Sequence, residues 1–407
     1  MYTGRKKISN IDYIYIWTFL FSLLMFIYFT FESYWLGELE FYSGITVTNN
    51  VDKFKRLSGL IMLIISLLFF HRGYSIGKLT ALGKCMFIFS IYLILSCIFS
   101  KDLGNISNYI NRYISMSLWI YVYLFFYTLN LRYDIDKHIT KFIIFFAILS
   151  ATLFLRNYLM NIEIGHTDWH YIESYYMITL IPSYILLKKK YKYILLISTI
   201  ICSIISAKRT GLITSCIIIV LYFIFIGENL TKKMKSIIWG SVIIITLFFA
   251  MSTFMGDQLN FVIERITSIE EDKGSGRGNI YTNLYNEISE NDDPSTYLFG
   301  KGYNEVINSK ATSGYSAHNE FLEVIYDYGF IGFCLFIAIF IVVYNIKKKT
   351  KSHSHKVAIT LSFIIFLLFS LTSHTILFTT NIIFLCMFWG YNDAKNKIQN
   401  TKILKLQ

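Results

Sequence analysis

The chain has 407 residues, 55% of them apolar and only 16% charged, against roughly 25% charged in an average soluble chain. Its formal net charge of +12 would suit a nucleic-acid binder, but the basic residues fall in short clusters between apolar runs. That is the signature of membrane topology and argues against a nucleic-acid partner. The six cysteines, Cys85, Cys97, Cys202, Cys216, Cys334 and Cys386, lie inside apolar runs without CxxC spacing and read as small buried hydrophobes, with neither a disulfide framework nor a metal site indicated.

A helix needs about 20 mostly apolar residues to cross a bilayer. In chain order the candidates are residues 11–31, 57–71, 81–100, 108–129, 139–159, 171–187, 191–207, 210–227, 236–255, 320–345, 356–373 and 376–392. The second, sixth, seventh and twelfth are short or weak, so the expectation is an all-α polytopic membrane protein of about 12 transmembrane helices, eleven at the least. The first run is too long for a signal-peptide core and has no small-residue cleavage site behind it, so it reads as an uncleaved span. Residues 1–255 then hold spans one to nine, 256–319 form a large extracytoplasmic loop with short helices, and 320–407 hold the last three spans and a cytoplasmic tail.

The basic residues orient these spans. With the N-terminus inside, 25 of the 38 Lys and Arg residues fall on inner segments, including the clusters around Lys189, Lys233 and Lys348. This bias places both termini in the cytoplasm and the large loop outside. No repeat recurs at a period of 20–50 residues, and no matching pair of Gly/Pro-broken spans suggests an inverted-repeat transporter.

Three polar segments share the outer face. The turn SAKRTG, Ser206 to Gly211, holds Lys208 and Arg209 at the membrane surface. They are either a snorkelling pair or cations poised for a lipid-linked phosphate, which Arg grips as a planar fork. Arg277 sits in GSGRG, whose glycines let the backbone approach a ligand closely; no Walker lysine follows. Ile280, Leu284 and Ile288 recur every four residues after it, which predicts an amphipathic helix over 279–289 lying along the membrane face. Arg277 would then stand near an anion-attracting helix N-terminus. Further on, Lys301 lies between Gly300 and Gly302.

His318 and Asn319 open the tenth span, followed by Glu320, Glu323 and Asp327 on one face of its first two turns. Such acids are either wet dipole partners or buried functional groups with an arginine nearby. His318 has the natural pKa for proton transfer. His166 and His170 in HTDWH have i,i+4 spacing but no evident further ligands, so no metal is expected. His353 and His355 read as solvated, and Trp35, Trp169 and Tyr171 as interfacial belt residues.

In this order and spacing, SAKRTG, SGRGNIYTNL followed by YLFGKGYNEV, and SAHNEFLEVIYDYGFIGFCLF resemble the O-antigen polymerase and O-antigen ligase superfamily, over about Ser206 to Tyr344. The resemblance implies glycosyl transfer from an undecaprenyl-diphosphate-linked oligosaccharide at the periplasmic face of the bacterial inner membrane, with no cofactor and no metal. It puts the matching arginines at Arg209 and Arg277 and the matching histidine at His318, as catalytic groups. Lys208, Asn319, Glu323, Asp327 and Lys301 surround them as expected substrate-binding residues. Membrane lipids and a chain-length regulator protein are the other implied partners. Ligases of this family often carry a second histidine two places before the Asn-adjacent one, where this chain has Ser316. That favours a polymerase, which joins lipid-linked repeat units, over a ligase that transfers glycan to lipid A-core or a non-enzymatic flippase.

The topology predicts that a reporter active only outside the cytoplasm is active when fused after Lys301 and silent when fused after Lys349. The reverse pair of results would put the polar segments on the wrong side of the membrane.

Overall fold

A chain in hydrocarbon has no water to satisfy its backbone and must do so within helices, and each of the twelve apolar runs falls on one. The computed structural model describes residues 7–41, 49–71, 79–99, 106–164, 171–206, 208–227, 230–254, 260, 263–264, 267, 277–290, 293–303, 305–312, 314, 316–374 and 379–404. Helices α1 (Lys7–Phe41), α2 (Asn49–His71), α3 (Ala81–Phe99), α4 (Ile106–Arg132) and α5 (Asp136–Ile164) come first. Next are α6 (Glu173–Tyr184), α7 (Lys189–Ile205), α8 (Arg209–Ile226) and α9 (Leu230–Phe254). The large loop contributes α10 (Arg277–Ser289), α11 (Pro294–Phe299) and α12 (Glu305–Asn308). Helices α13 (Glu320–Lys349), α14 (His353–Thr372) and α15 (Thr379–Leu404) complete the bundle, and no strand occurs among the described residues.

Among the described residues, seven helices are long and apolar enough to cross a membrane. The sixth and seventh runs, weak in sequence, form α6 and α7 of only 12 and 17 residues, short of the about 20 a crossing takes. Helix α4 is the axis of the bundle: 89% of its spanning stretch is buried, against 33–50% for the other six. A helix that is apolar all round belongs in such a position, and α2, α3 and α15 pack around it.

The start of α13 carries the loop. Gly329 interrupts this helix with φ 64 and ψ −170, which frees the carbonyls before it from their usual i+4 partners. All three are recovered by other elements. Lys301 N–H donates to Tyr326 O at 3.0 Å, Gly302 N–H to Asp327 O at 2.9 Å, and the Tyr92 hydroxyl to Tyr328 O at 2.5 Å. The loop backbone must therefore touch the helix backbone. A Cβ on Gly300 would stand 2.2 Å from Asp327 O, and one on Gly329 would stand 2.5 Å from Gly300 N.

Asp327 is fully buried and its Oδ1 accepts from Val306 N–H at 3.1 Å, so it holds up the loop floor. Lys301 is engaged nearby, with Nζ 2.6 Å from Glu287 Oε1 and 3.0 Å from the Tyr326 hydroxyl.

Several sequence expectations change here. The amphipathic helix forms as α10, but its Ile280, Leu284 and Ile288 stripe packs on Val306, Ala317 and Tyr326 within the loop rather than on the membrane. Tyr171 is buried against Phe154 and Met177 instead of lying in an interfacial belt. Cys216 and Cys334 face outward, whereas Cys97, Cys202 and Cys386 are buried. His166, Trp169 and His170 lie outside the described residues, as do 274–276 and the side chain of Trp35.

Gly329→Ala combines a positive φ with a backbone clash; at φ 64 and ψ −170 the backbone lies in a region essentially reserved for glycine, where another residue alone costs roughly 1–3 kcal/mol. Thermal unfolding in detergent should show a clear loss for this variant. Gly314→Ala also has positive φ, but its Cβ meets nothing within 4 Å, so it should be the milder of the two; equal effects would refute the backbone-contact account.

Candidate active site

Helix termini leave unpaired polar groups: N–H at the start, C=O at the end. The N-termini of α8, α10 and α13 converge on the C-terminus of α14, and the pairing is specific. Arg277, the first residue of α10, donates from Nη1 to Thr372 O at 2.8 Å. Thr210, in the first turn of α8, donates from Oγ1 to the same oxygen at 3.1 Å. One orphan carbonyl at the last residue of α14 thus fixes Arg277 and the head of α8 together. Lys208 and half-buried Arg209 stand at that head. The Lys208 ammonium lies 5.2 Å from the centroid of the Tyr175 ring, a cation–π distance. The Tyr175 hydroxyl in turn lies beside the side chains of Ser373 and Thr210.

The head of α13 is more strained. His318 has φ 52, the one non-glycine residue with positive φ among those described, and such outliers gather at functional sites. Two side chains hold it there. Asn319 caps α13, its Oδ1 accepting from Phe321 N–H at 3.1 Å and Leu322 N–H at 3.3 Å. Glu323 reaches back, and its Oε1 accepts from His318 N–H at 3.0 Å. Tyr281 of α10 lies beside the Asn319 side chain.

The second oxygen of Glu323 serves His374, just past the end of α14. His374 Nδ1 lies 3.1 Å from Glu323 Oε2, its Nε2 lies 3.0 Å from Ser316 Oγ, and its carbonyl accepts from Asn381 Nδ2 at 2.9 Å. The His318 and His374 rings are 4.6 Å apart between centroids. Glu320, Glu323 and His374 are all buried, with one donor atom from each within 4.8 Å of the others. The sequence could not show this convergence, because His374 lies 51 residues past Glu323. Two of the three donors, Glu323 and His374, are joined through a hydrogen bond.

The two histidines divide the charge. Partial burial, reinforced by His374, Arg277 and Lys208, holds His318 down to about 3, so it is neutral at pH 7. Burial alone would lower His374 as well, but Glu323 and then Glu320 outweigh it and raise its pKa above the ordinary value, with Arg277 opposing.

Of the residues expected from sequence, Lys208, Arg277, His318, Asn319 and Glu323 come together here, with Arg209 beside Thr210. Lys301 and Asp327 belong instead to the loop framework described above. Sequence reasoning missed His374, Thr372 and Tyr281. The available signal for His374 was a titratable residue in a polar turn between two apolar runs on the face already assigned to Arg277.

No curated protein matches the chain. Over residues 194–337 it matches the family model described as O-Antigen ligase, a stretch that includes Arg209, Arg277 and His318 and stops short of His374, in agreement with the resemblance seen in the sequence.

Proposed function

We propose that the protein is an O-antigen (or related surface polysaccharide) polymerase that joins undecaprenyl-diphosphate-linked repeat units at the periplasmic face of the bacterial inner membrane. The observation that carries this reading is the shared Thr372 carbonyl, which holds Arg277 beside the head of α8 and so beside Lys208 and Arg209. When a sugar hydroxyl attacks the anomeric carbon, the bond to diphosphate breaks and negative charge grows on the leaving oxygen. Cations fixed in advance near that oxygen stabilise the transition state more than the ground state. Each hydrogen bond to a charged group contributes roughly 1.5–3 kcal/mol net.

His318, neutral and weakly basic, fits a hydrogen bond to diphosphate or sugar better than proton removal, for which a pKa near the working pH serves best. Asn319 and Glu323 shape the pocket by holding His318. In this reading both termini lie in the cytoplasm, the reaction needs neither cofactor nor metal, and a chain-length regulator protein is a further partner. A polymerase is preferred to a ligase because the position of the family's second histidine is Ser316.

Arg277→Ala should reduce chain extension by about 10²–10³, the cost of losing one preorganised donor, at unchanged protein levels. Arg277→Lys keeps the charge without the fork and should lose less. His318→Ala should also impair extension. Normal glycan ladders from the Arg277 and His318 alanine variants would refute the site. Surface glycans of a deletion strain separate the classes. A polymerase leaves single units on the core without a ladder, a ligase leaves bare core with accumulating lipid-linked polymer, and a flippase retains the units inside.

A further inference from the structure

We propose that His374, oriented by Glu323 and reached through the hydroxyl of Ser316, accepts the proton of the sugar hydroxyl that attacks the donor. The inference rests on the glycosyl-transfer reading and names the base that reading lacks.

The geometry is a three-member chain. Ser316 Oγ is 3.0 Å from His374 Nε2, and His374 Nδ1 is 3.1 Å from Glu323 Oε2. A carboxylate can only accept, so Nδ1 carries hydrogen and donates to Glu323. That leaves the Nε2 lone pair facing the serine hydroxyl, which donates to it. The carboxylate cannot swing away, because its other oxygen is held by His318 N–H at 3.0 Å. The order hydroxyl, imidazole, carboxylate is the logic by which a base is held in the correct tautomer; here it serves proton removal from a substrate hydroxyl.

Access explains why a relay is needed. His374 is 4% exposed and Glu323 only 1%, so a sugar cannot touch either. Ser316 is the half-buried member of the chain and the one an acceptor can reach. Position adds a second argument. Thr372, two residues before His374, is the anchor of Arg277, so proton acceptor and leaving-group cation stand on one helix end. His318 is ill suited to the task, since burial and then its neighbours His374, Arg277 and Lys208 make it a weak base.

The step balances. The acceptor O–H bond breaks, its proton passes to Ser316 Oγ, and the proton of Ser316 passes to His374 Nε2. The acceptor oxygen bonds the anomeric carbon, and the bond from that carbon to diphosphate breaks with its electron pair staying on the diphosphate. Ser316 ends as a hydroxyl and His374 as an imidazolium paired with Glu323, which later releases its proton to water. Among the described residues, the charged and titratable groups facing His374 include Glu323, Glu320, Arg277 and His318.

The test uses the purified full chain in lipid nanodiscs with undecaprenyl-diphosphate-linked repeat unit from the deletion strain. The wild type should lose kcat as pH falls through an acid limb above the ordinary histidine range, where His374 becomes protonated. His374→Gln should lower kcat by about 10²–10⁴, the usual worth of a general base, abolish that limb and leave the donor KM unchanged. Ser316→Ala should lower kcat with the same KM. Glu323→Gln removes the carboxylate that raises His374 and should move the limb to lower pH. A limb that persists in His374→Gln overturns the proposal; if that variant does not fold, an unshifted limb in Glu323→Gln does so. Activity lost in EDTA and regained with Mg²⁺ overturns it too, because Glu320, Glu323 and His374 would then hold an ion in place of a proton. Failure of the parent reading looks different: a wild type that yields no polymer, or an Arg277→Ala variant that extends chains normally.

Discussion

A single carbonyl oxygen organises the functional end of this bundle. Thr372 ends α14, and its C=O has no partner in its own helix. Arg277 and Thr210 both donate to it, at 2.8 and 3.1 Å. Without that oxygen Arg277 would be a loop arginine whose side chain samples many rotamers at an entropic cost of up to about 2 kcal/mol on fixing. With it, the guanidinium is fixed before a ligand arrives. Only part of the fork is used in this bond, so its remaining N–H groups can turn to an anion. The same oxygen aligns the head of α8, so the Lys208–Arg209 turn and the loop arginine are placed by one acceptor.

The described loop residues around Lys301 are tied down for a related reason. Backbone carbonyls freed by the Gly329 break need donors, and Lys301, Gly302 and Tyr92 supply them. The loop is therefore sewn to α13 through the main chain. The buried Asp327 carboxylate and the Lys301–Glu287–Tyr326 cluster add side-chain ties. Lys301 strongly favours this role: Glu287 and Tyr326 raise its pKa despite partial burial, and Lys301, Ser309 and Tyr326 lower that of Glu287. A floor built in this way keeps His318 in its unfavourable φ, because Glu323 and Asn319 are positioned by the same first turns of α13.

How much of this was legible in the sequence depended on its range. The helices were, because each apolar run needs only its own residues to declare itself, and the limits of α3, α8 and α13 fall close to the runs that predict them. The cation at the start of α10 was legible too, since period-four spacing begins just past Arg277. What that helix packs against was not: the stripe Ile280, Leu284, Ile288 fits a membrane surface or a protein floor equally well, and Val306, Ala317 and Tyr326 decide it. Asp327 and Lys301 looked like ligand-binding groups because burial and backbone contacts are invisible in a string. His374 was missed for the same reason, as nothing near it in sequence marks Glu323 or Ser316 as its neighbours.

The charge distribution follows from packing two imidazoles 4.6 Å apart between centroids. Two adjacent cations in a buried site repel strongly, so protonation of one disfavours the other. The environment breaks the tie. His374 faces Glu323 and Glu320 and is raised, whereas His318 is depressed by burial, His374, Arg277 and Lys208. A pair pushed apart in this way separates roles between similar side chains, which is how acid and base assignments are recognised elsewhere. The neutral ring has Arg277 and Lys208 for neighbours. The ring with the higher proton affinity is backed by carboxylates and meets the Ser316 hydroxyl at its other nitrogen. Glu323 bonds both His318 N–H and His374 Nδ1, so one carboxylate sets the strained backbone of the first histidine and the basicity of the second.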